Sequence, residues 1–293
     1  MTNENAFPVN VHDAGERLDR FVARAAGVSL RTARRLVRRA AVTVDGSVRT
    51  EGYKLKPGQA VLVAQEAPGA PQAVARLLLA GSDYAAFYKP PGLHTAAICG
   101  SFEPSLEGVV ADIAPGMAVT LVNRLDRDTS GIVLGALSQR AALRFRELED
   151  AGLVDKRYLA LVQGTVSGPL LLRWELDTAD RAVVRISGAP SADRLRWTLA
   201  RPVCEMKGLT LIEARIEKGA RHQIRAHLSH AGHPIAGDML YGGPQAVSLR
   251  LHHWCVSLPE FSAQAGPDWE EVQAQVSLFM EENTCGSPWP SRH

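Results

Sequence analysis

One stretch of this chain concentrates charge where its surroundings are apolar. From Leu121 to Leu137 the sequence reads LVNRLDRDTSGIVLGAL, so Asn123, Arg124, Asp126, Arg127, Asp128, Thr129 and Ser130 lie between two strand-like runs. These groups cannot all be buried unpaired, because an unpaired charge in a protein interior is costly. The segment is either a solvated loop or the lining of a pocket. A metal-dependent hydrolase would need clustered carboxylates, and Asp126 with Asp128 is thin support for one. By type alone, His222, His227, His230 and His233 suggest a metal site. A fourth group is basic: Arg31, Arg34, Arg35 and Arg38 share one side of a helix-patterned segment. Guanidinium groups pair bidentately with phosphates, so such a stripe suits an RNA backbone; a solvated face is its other reading.

The elements that must carry these groups follow from periodicity. Between Arg17 and Ala25 the apolar residues Leu18, Phe21, Val22 and Ala25 recur at helical spacing. Ser29 can cap a second helix, LRTARRLVRRA, in which Ala33, Leu36, Val37 and Ala40 oppose the arginines. VTVDGSV alternates around Asp45-Gly46, a hairpin signal because both turn positions tolerate positive φ. QEAPGAPQA then marks a linker. Beyond Leu77 strand-like runs such as YAAFYK, YLALVQG and LTLIEARI outnumber helices. Ser138 opens the clearest helix, AALRFRELED, and Asp268 with Glu271 spells a capping box before VQAQVSLFM.

Composition is that of a folded globular chain, with 46% hydrophobic and 22% charged residues among 293. Net charge is only +2, yet the first 65 residues carry eleven Lys or Arg against six Asp or Glu, an excess that fits a polyanion partner. No apolar run reaches membrane-spanning length and the first residues lack signal-peptide character, so cytoplasmic residence is expected. Cys99, Cys204, Cys255 and Cys285 form no CxxC pair and are expected to be reduced thiols.

The order helix, helix, hairpin over Glu16 to Val63, with ERLDRFVA, VSLRTARRLVRRA and VTVDG, resembles the small RNA-binding domain of ribosomal protein S-four. Gly58-Gln59 stands where that family usually has Gly-Asp. NRLDRDTSG is similar to the signature loop of RluA-type pseudouridine synthases, His-Arg-Leu-Asp, two variable residues, then Thr-Ser-Gly, and differs at Asn123. Further segments match in order: YKPPGL at Tyr88, DKRYLALVQG at Asp155, RHQIRAHLSHAGHPIAGDMLYG at Arg221 and RLHHWCVSLP at Arg250.

That resemblance implies an α+β protein in two parts: an RNA-binding domain over 10–65, a linker over 66–76, and a mixed, mainly antiparallel β catalytic domain over 77–283. It implies an isomerase that converts uridine to pseudouridine in ribosomal RNA or, second, transfer RNA, with no cofactor, no metal and no need of a second copy. Pseudouridine formation breaks the N1–C1′ bond, turns the uracil and joins C5 to C1′, which calls for an ionised carboxylate near sugar and base. The resemblance gives that role to Asp126, with Arg225 as its ion-pair partner. Tyr158 would stack on the base and help move the C5 proton. Arg124 would enter the stack left by a flipped uridine, and Arg31, Arg34, Arg35 and Arg38 would hold the RNA. Two departures bear on substrate contacts: Gly219 is followed by Ala220 before Arg221, and RLRWTLA replaces a strand that often carries Ala-x-Thr. The competing class is a non-catalytic RNA-binding or ribosome-assembly factor, which loss of Asp126, Tyr158 or Arg225 would have favoured.

Overall fold

The computed structural model describes residues 4–28, 30–38, 42–64, 74–97, 103–179 and 183–286. The chain divides into two compact units, Met1–Gln72 and Ala73–His293. Ser29, expected as a helix cap, and most of the expected linker lie outside the described residues.

In the first unit two helices, α1 (Leu18–Ala25) and α2 (Leu30–Arg38), accompany a four-stranded antiparallel sheet. Its strands are β1 (Glu4–Pro8), β2 (Val42–Val44), β3 (Ser47–Val48) and β4 (Ala60–Ala64), in the order β1-β4-β2-β3. The helical apolar stripes supply Leu18, Phe21, Val22, Leu36 and Val37, which pack on Val42, Val44, Val61 and Val63. The β2–β3 turn is the hairpin expected at Asp45-Gly46, with φ of 49° and 75°. Gln59 takes part in it: its amide donates to the Asp45 carboxylate at 2.9 Å, while the Ala60 N–H donates to the other oxygen at 2.8 Å. The Gly-Gln departure is thus absorbed within the turn. β1, which pairs with β4, had no counterpart in the periodicity.

The second unit is built on one large sheet. In chain order come β5 (Arg76–Ala80), β6 (Tyr84–Lys89), α3 (Leu106–Ile113), β7 (Thr120–Leu121), β8 (Ser130–Ala136), α4 (Gln139–Asp150), β9 (Asp155–Gln163), β10 (Leu170–Leu172), β11 (Trp174–Asp177), β12 (Arg185–Pro190), β13 (Thr198–Met206), β14 (Leu209–Ile216), α5 (Gln223–His230), β15 (Leu251–Leu258), β16 (Phe261–Gln264) and α6 (Gln273–Glu282). The sheet runs β10-β13-β14-β9-β15-β8-β6-β5, with β16 on β15 and β7 on β8, while β11 and β12 pair separately. Pairing is antiparallel except between β15 and β8, where His252 and His253 register with Ser130 and Gly131.

Both faces of the sheet are covered, so its central strands are buried throughout rather than alternating with solvent. Alternation decides which face each side chain serves. Tyr158, Ala160 and Val162 of β9 join Ile224 and Leu228 of α5 in one cluster, whereas Leu159 and Leu161 join Trp254, Val276 and Phe279 on the other face. α4, capped by the Ser138 hydroxyl as expected, packs Phe145 and Leu148 against Ile132 and Leu134. No helix among the described residues is long and apolar enough to cross a membrane.

Two expectations are corrected here. Asp268 and Glu271 form no capping box, because long-range partners claim both: Asp268 accepts from the Tyr88 hydroxyl at 3.1 Å and Glu271 pairs with Arg250. α6 instead begins at Gln273 after a 3-10 turn. Cys255 and Cys285 are not free thiols but a disulfide, since β15 and the segment after α6 bring their Cα atoms to 5.5 Å.

Candidate active site

Asp126 sits between β7 and β8, in a loop anchored on both sides of it. The preceding residue, Leu125, is buried, and its backbone exchanges two bonds with the Thr95 hydroxyl at 2.9 and 3.0 Å. The following residue, Arg127, offers its carbonyl to the Gly92 N–H at 2.8 Å and to the Lys89 ammonium at 3.0 Å. Lys89 also donates to the carbonyls of Pro90 and Leu93, at 3.0 and 2.8 Å. It is fully buried, and burial drives its pKa down to about 7. Asn123, where the chain departs from the signature His, accepts the Leu134 N–H and so serves strand β8. Gly131, at φ +116°, closes the loop against β15: a Cβ there would come within 2.3 Å of the His253 carbonyl oxygen.

Arg225 projects from the first turn of α5 and joins two carboxylates. Its Nη1 donates to Asp126 Oδ2 at 3.0 Å, while Nε and Nη2 grip Asp238 at 2.7 and 2.8 Å. The Arg225 side chain is 11% exposed, Asp126 23% and Asp238 0%. Burial works against the guanidinium's charge, but Asp238 and Asp126 more than offset it and raise its pKa. Among the described residues Arg225 bonds Asp126 only at Oδ2, and His222 Nε2 approaches that same oxygen, at 3.8 Å. His222 precedes α5 in the left-handed region, at φ 53°, and its Nδ1 lies 3.0 Å from the Tyr241 hydroxyl. Burial lowers the pKa of His222 and favours its neutral form.

Tyr158 is buried on β9, with one ring face stacked on His253 at 4.5 Å between centroids. Burial, with the Asp126 charge behind it, raises its pKa, so the phenol stays protonated. Arg124 is exposed two residues before Asp126. The structure therefore joins Asp126 to Arg225 and sets Tyr158 within reach of the Asp126 charge, from a loop, a helix and a strand that are distant in sequence.

The other groups singled out by type have local partners. Asp128 pairs with its neighbour Arg127 at 3.1 Å. His227 bonds the Thr198 hydroxyl and the Trp174 carbonyl, His230 packs on the Trp174 ring, and His233 bonds the Gln163 carbonyl. Among the described residues no group of three His, Cys, Asp or Glu is arranged to hold a metal. In the first unit Arg34 donates to buried Asp19 at 2.9 Å, so one member of the expected stripe serves the fold. The side chains of Arg31, Arg35 and Arg38 lie outside what the structure describes.

Sequence reasoning assigned no role to Lys89, Asp238 or His253, and considered His222 only as one of four histidines that by type suggest a metal site. Lys89 carried a signal, as the one charged residue of an otherwise apolar strand. Asp238 lay inside a matched run, but nothing local marked it as the partner of Arg225.

Comparison with known proteins follows the same division. Residues 83–230 match the family described as RNA pseudouridylate synthase, and residues 16–61 match the S4 domain. The chain is 33% identical to ribosomal large subunit pseudouridine synthase C of Haemophilus ducreyi over 281 residues, covering 86% of this chain and 85% of that protein. The protein of that name from Escherichia coli is 33% identical, covering 80% and 78%. Among solved structures, human RNA pseudouridylate synthase domain containing 1 has the same fold at 21% identity, with a TM-score of 0.56 over 71% of this chain and 89% of its own.

Proposed function

The chain belongs to the RNA pseudouridylate synthase family and is an isomerase, and from that premise we propose that it converts uridines of ribosomal RNA to pseudouridine with Asp126 as the catalytic carboxylate. The observation that carries the reading is the Arg225 bridge. A guanidinium fixed by buried Asp238 engages one oxygen of Asp126, Oδ2, and among the described residues makes no bond to Oδ1. An oriented carboxylate whose charge reaches a buried, protonated phenol suits the reaction. Asp126 assists departure of uracil from C1′, through the ribose or by adding to the ring; after C5 joins C1′, the C5 proton must leave, a step to which the Tyr158 phenol contributes.

A uridine inside a helix cannot reach a carboxylate in a cleft, so the target nucleotide leaves its stack and Arg124 takes part in filling the gap. Names of the relatives favour large-subunit ribosomal RNA, and transfer RNA is the second substrate class. The S4 domain provides a separate grip on folded RNA. Such binding weakens steeply with salt, because each phosphate contact releases counterions.

The deciding experiment is tritium release from C5-tritiated uridine in transcribed ribosomal RNA, in the presence of chelator, comparing wild type with Asp126→Ala. Release by the wild type and none by the variant is expected. Tight binding without release from any RNA would instead favour an assembly factor.

A further inference from the structure

His222 holds its backbone where few side chains do. Among the described residues three other than glycine have positive φ: Asp45, Lys207 and His222. Asp45 and Lys207 each precede a glycine of positive φ, Gly46 and Gly208, in the tight turns that join β2 to β3 and β13 to β14. His222, at φ 53° and ψ 15°, stands instead at the head of α5, where the capping residue is ordinarily extended. Its side chain makes no capping bond to the helix. Neither a hairpin turn nor capping accounts for this costly conformation, and backbone strain of that sort clusters at functional positions.

The conformation sets the imidazole between two groups. Nδ1 is 3.0 Å from the Tyr241 hydroxyl, and Nε2 is 3.8 Å from Asp126 Oδ2, the oxygen that Arg225 also engages. The His222 side chain is 14% exposed. Burial, with Arg225 and Arg221, favours its neutral form against the pull of Asp126 and Asp238. A neutral imidazole has one N–H, and its other nitrogen is an acceptor. With the proton on Nδ1, the Nε2 lone pair would face a carboxylate. With the proton on Nε2, an N–H faces it and Nδ1 accepts from Tyr241. That hydroxyl already takes the Val184 N–H at 2.9 Å, so its own proton is left to give. The other acceptor for this proton, the Val184 carbonyl, is farther away, at 3.2 Å. The bond made by one ring nitrogen thus sets what the other presents.

We infer that His222 is a positioning residue for Asp126: oriented by Tyr241, it presents an Nε2–H to Oδ2 and, with Arg225, steadies the ionised carboxylate in the orientation that the reaction needs. This rests on the reading of Asp126 as the reacting carboxylate. A separation of 3.8 Å is beyond hydrogen-bond range, so the bond closes as substrate draws the groups together, a tightening common among catalytic groups. Arg225 supplies charge; His222 supplies a second directional donor on the same oxygen.

The tautomer is read from long-range proton–nitrogen correlation spectra of histidine-labelled protein at neutral pH, with the His222 signals identified by their loss in His222→Asn. Asparagine tolerates the left-handed backbone, so that variant keeps the turn and removes the imidazole. A proton on Nε2 of the wild type is expected. His222→Asn is expected to slow single-turnover tritium release from C5-tritiated, transcribed large-subunit ribosomal RNA about tenfold or more at saturating protein, with RNA binding and the unfolding midpoint unmoved. Tyr241→Phe is expected to slow release as well, and to add nothing in the His222→Asn background, because its hydroxyl acts through the imidazole. A proton on Nδ1, an unchanged release rate in His222→Asn, or slowing that adds up in the double variant overturns the inference and leaves the isomerase reading standing. Slowing that comes with a lowered midpoint in His222→Asn assigns the residue to the fold and also overturns it. No release by wild type from ribosomal or transfer RNA defeats the reading of Asp126 itself, whatever the tautomer, and the inference with it.

Discussion

Asp238→Asn tests the electrostatic frame of the site through a residue that need not touch substrate. The carboxylate is fully buried, takes guanidinium bonds at 2.7 and 2.8 Å from Arg225, and accepts two N–H groups of its own turn. Asparagine fills the same space but offers one acceptor oxygen and a donor NH2, so one guanidinium N–H must face another donor. Removing one partner of a buried ion pair costs about 3–5 kcal/mol. Arg225 retains Asp126 at 3.0 Å, which places the loss at the lower end, about 3 kcal/mol. In a unit of this size that lowers the unfolding midpoint by about 6–12 °C. Arg225 would then settle toward Asp126, and misplacement by about an ångström at a reacting group costs on the order of 100-fold in rate. Calorimetric unfolding and single-turnover tritium release, with RNA binding as control, read both effects. An unmoved midpoint, or a rate within a few-fold of wild type, would refute the view that Asp238 orients Arg225.

Three further perturbations probe other parts of the frame. Lys89→Met leaves the half-buried carbonyls of Pro90 and Leu93 without their ammonium donor, at about 1 kcal/mol each, partly offset because no charge is then buried. Slower release with unchanged RNA binding is expected, and unchanged denaturant stability would count against it. Burial holds His253 near pKa 3, against 6.5 ordinarily, so below pH 6.5 the unfolded chain takes up a proton that the folded chain refuses. Stability present above pH 6.5 is therefore lost as pH falls toward 3, by about 1.4 kcal/mol per unit for each such histidine. His253→Phe keeps a ring against Tyr158 and should flatten denaturation midpoints between pH 7 and 5; an identical pH slope would refute this. In the first unit the Arg17 side chain, against the opposing effect of burial and with help from Arg34, holds Asp19 down to about pKa 2. That stability is present above pH 4 and lost as pH falls through 2, so the penalty of Asp19→Asn, about 2 kcal/mol at pH 6, should vanish near pH 2. A penalty independent of pH would show that the ion pairs contribute nothing.

Much of this was legible in the sequence because it is short-range. Helical spacing in α1 and α2, the Asp45-Gly46 hairpin and the Ser138 cap each depend on residues a few positions apart, and each formed as read. The charged loop around Asp126 stood out against its apolar flanks, and its resemblance to a family motif pointed to Arg225 and Tyr158. Short-range reading failed where distant groups competed for the same atoms. The Asp268-Glu271 box was lost to Tyr88 and Arg250, and two cysteines expected to be free met across β15 and the C-terminal segment.

The sequence by itself determined the family, helices α1, α2 and α4, the Asp45-Gly46 hairpin and the charged loop that carries Asp126. Only the tertiary structure decided which groups hold that carboxylate in place. Arg225 reaches Asp126 across 99 positions, Asp238 anchors Arg225, and Lys89 pins the loop from beneath. The physical reason is that a buried charge takes whatever partner the packing brings within about 3 Å. That choice is made by the register of β8, β9 and β15 and the placement of α5, not by neighbours along the chain.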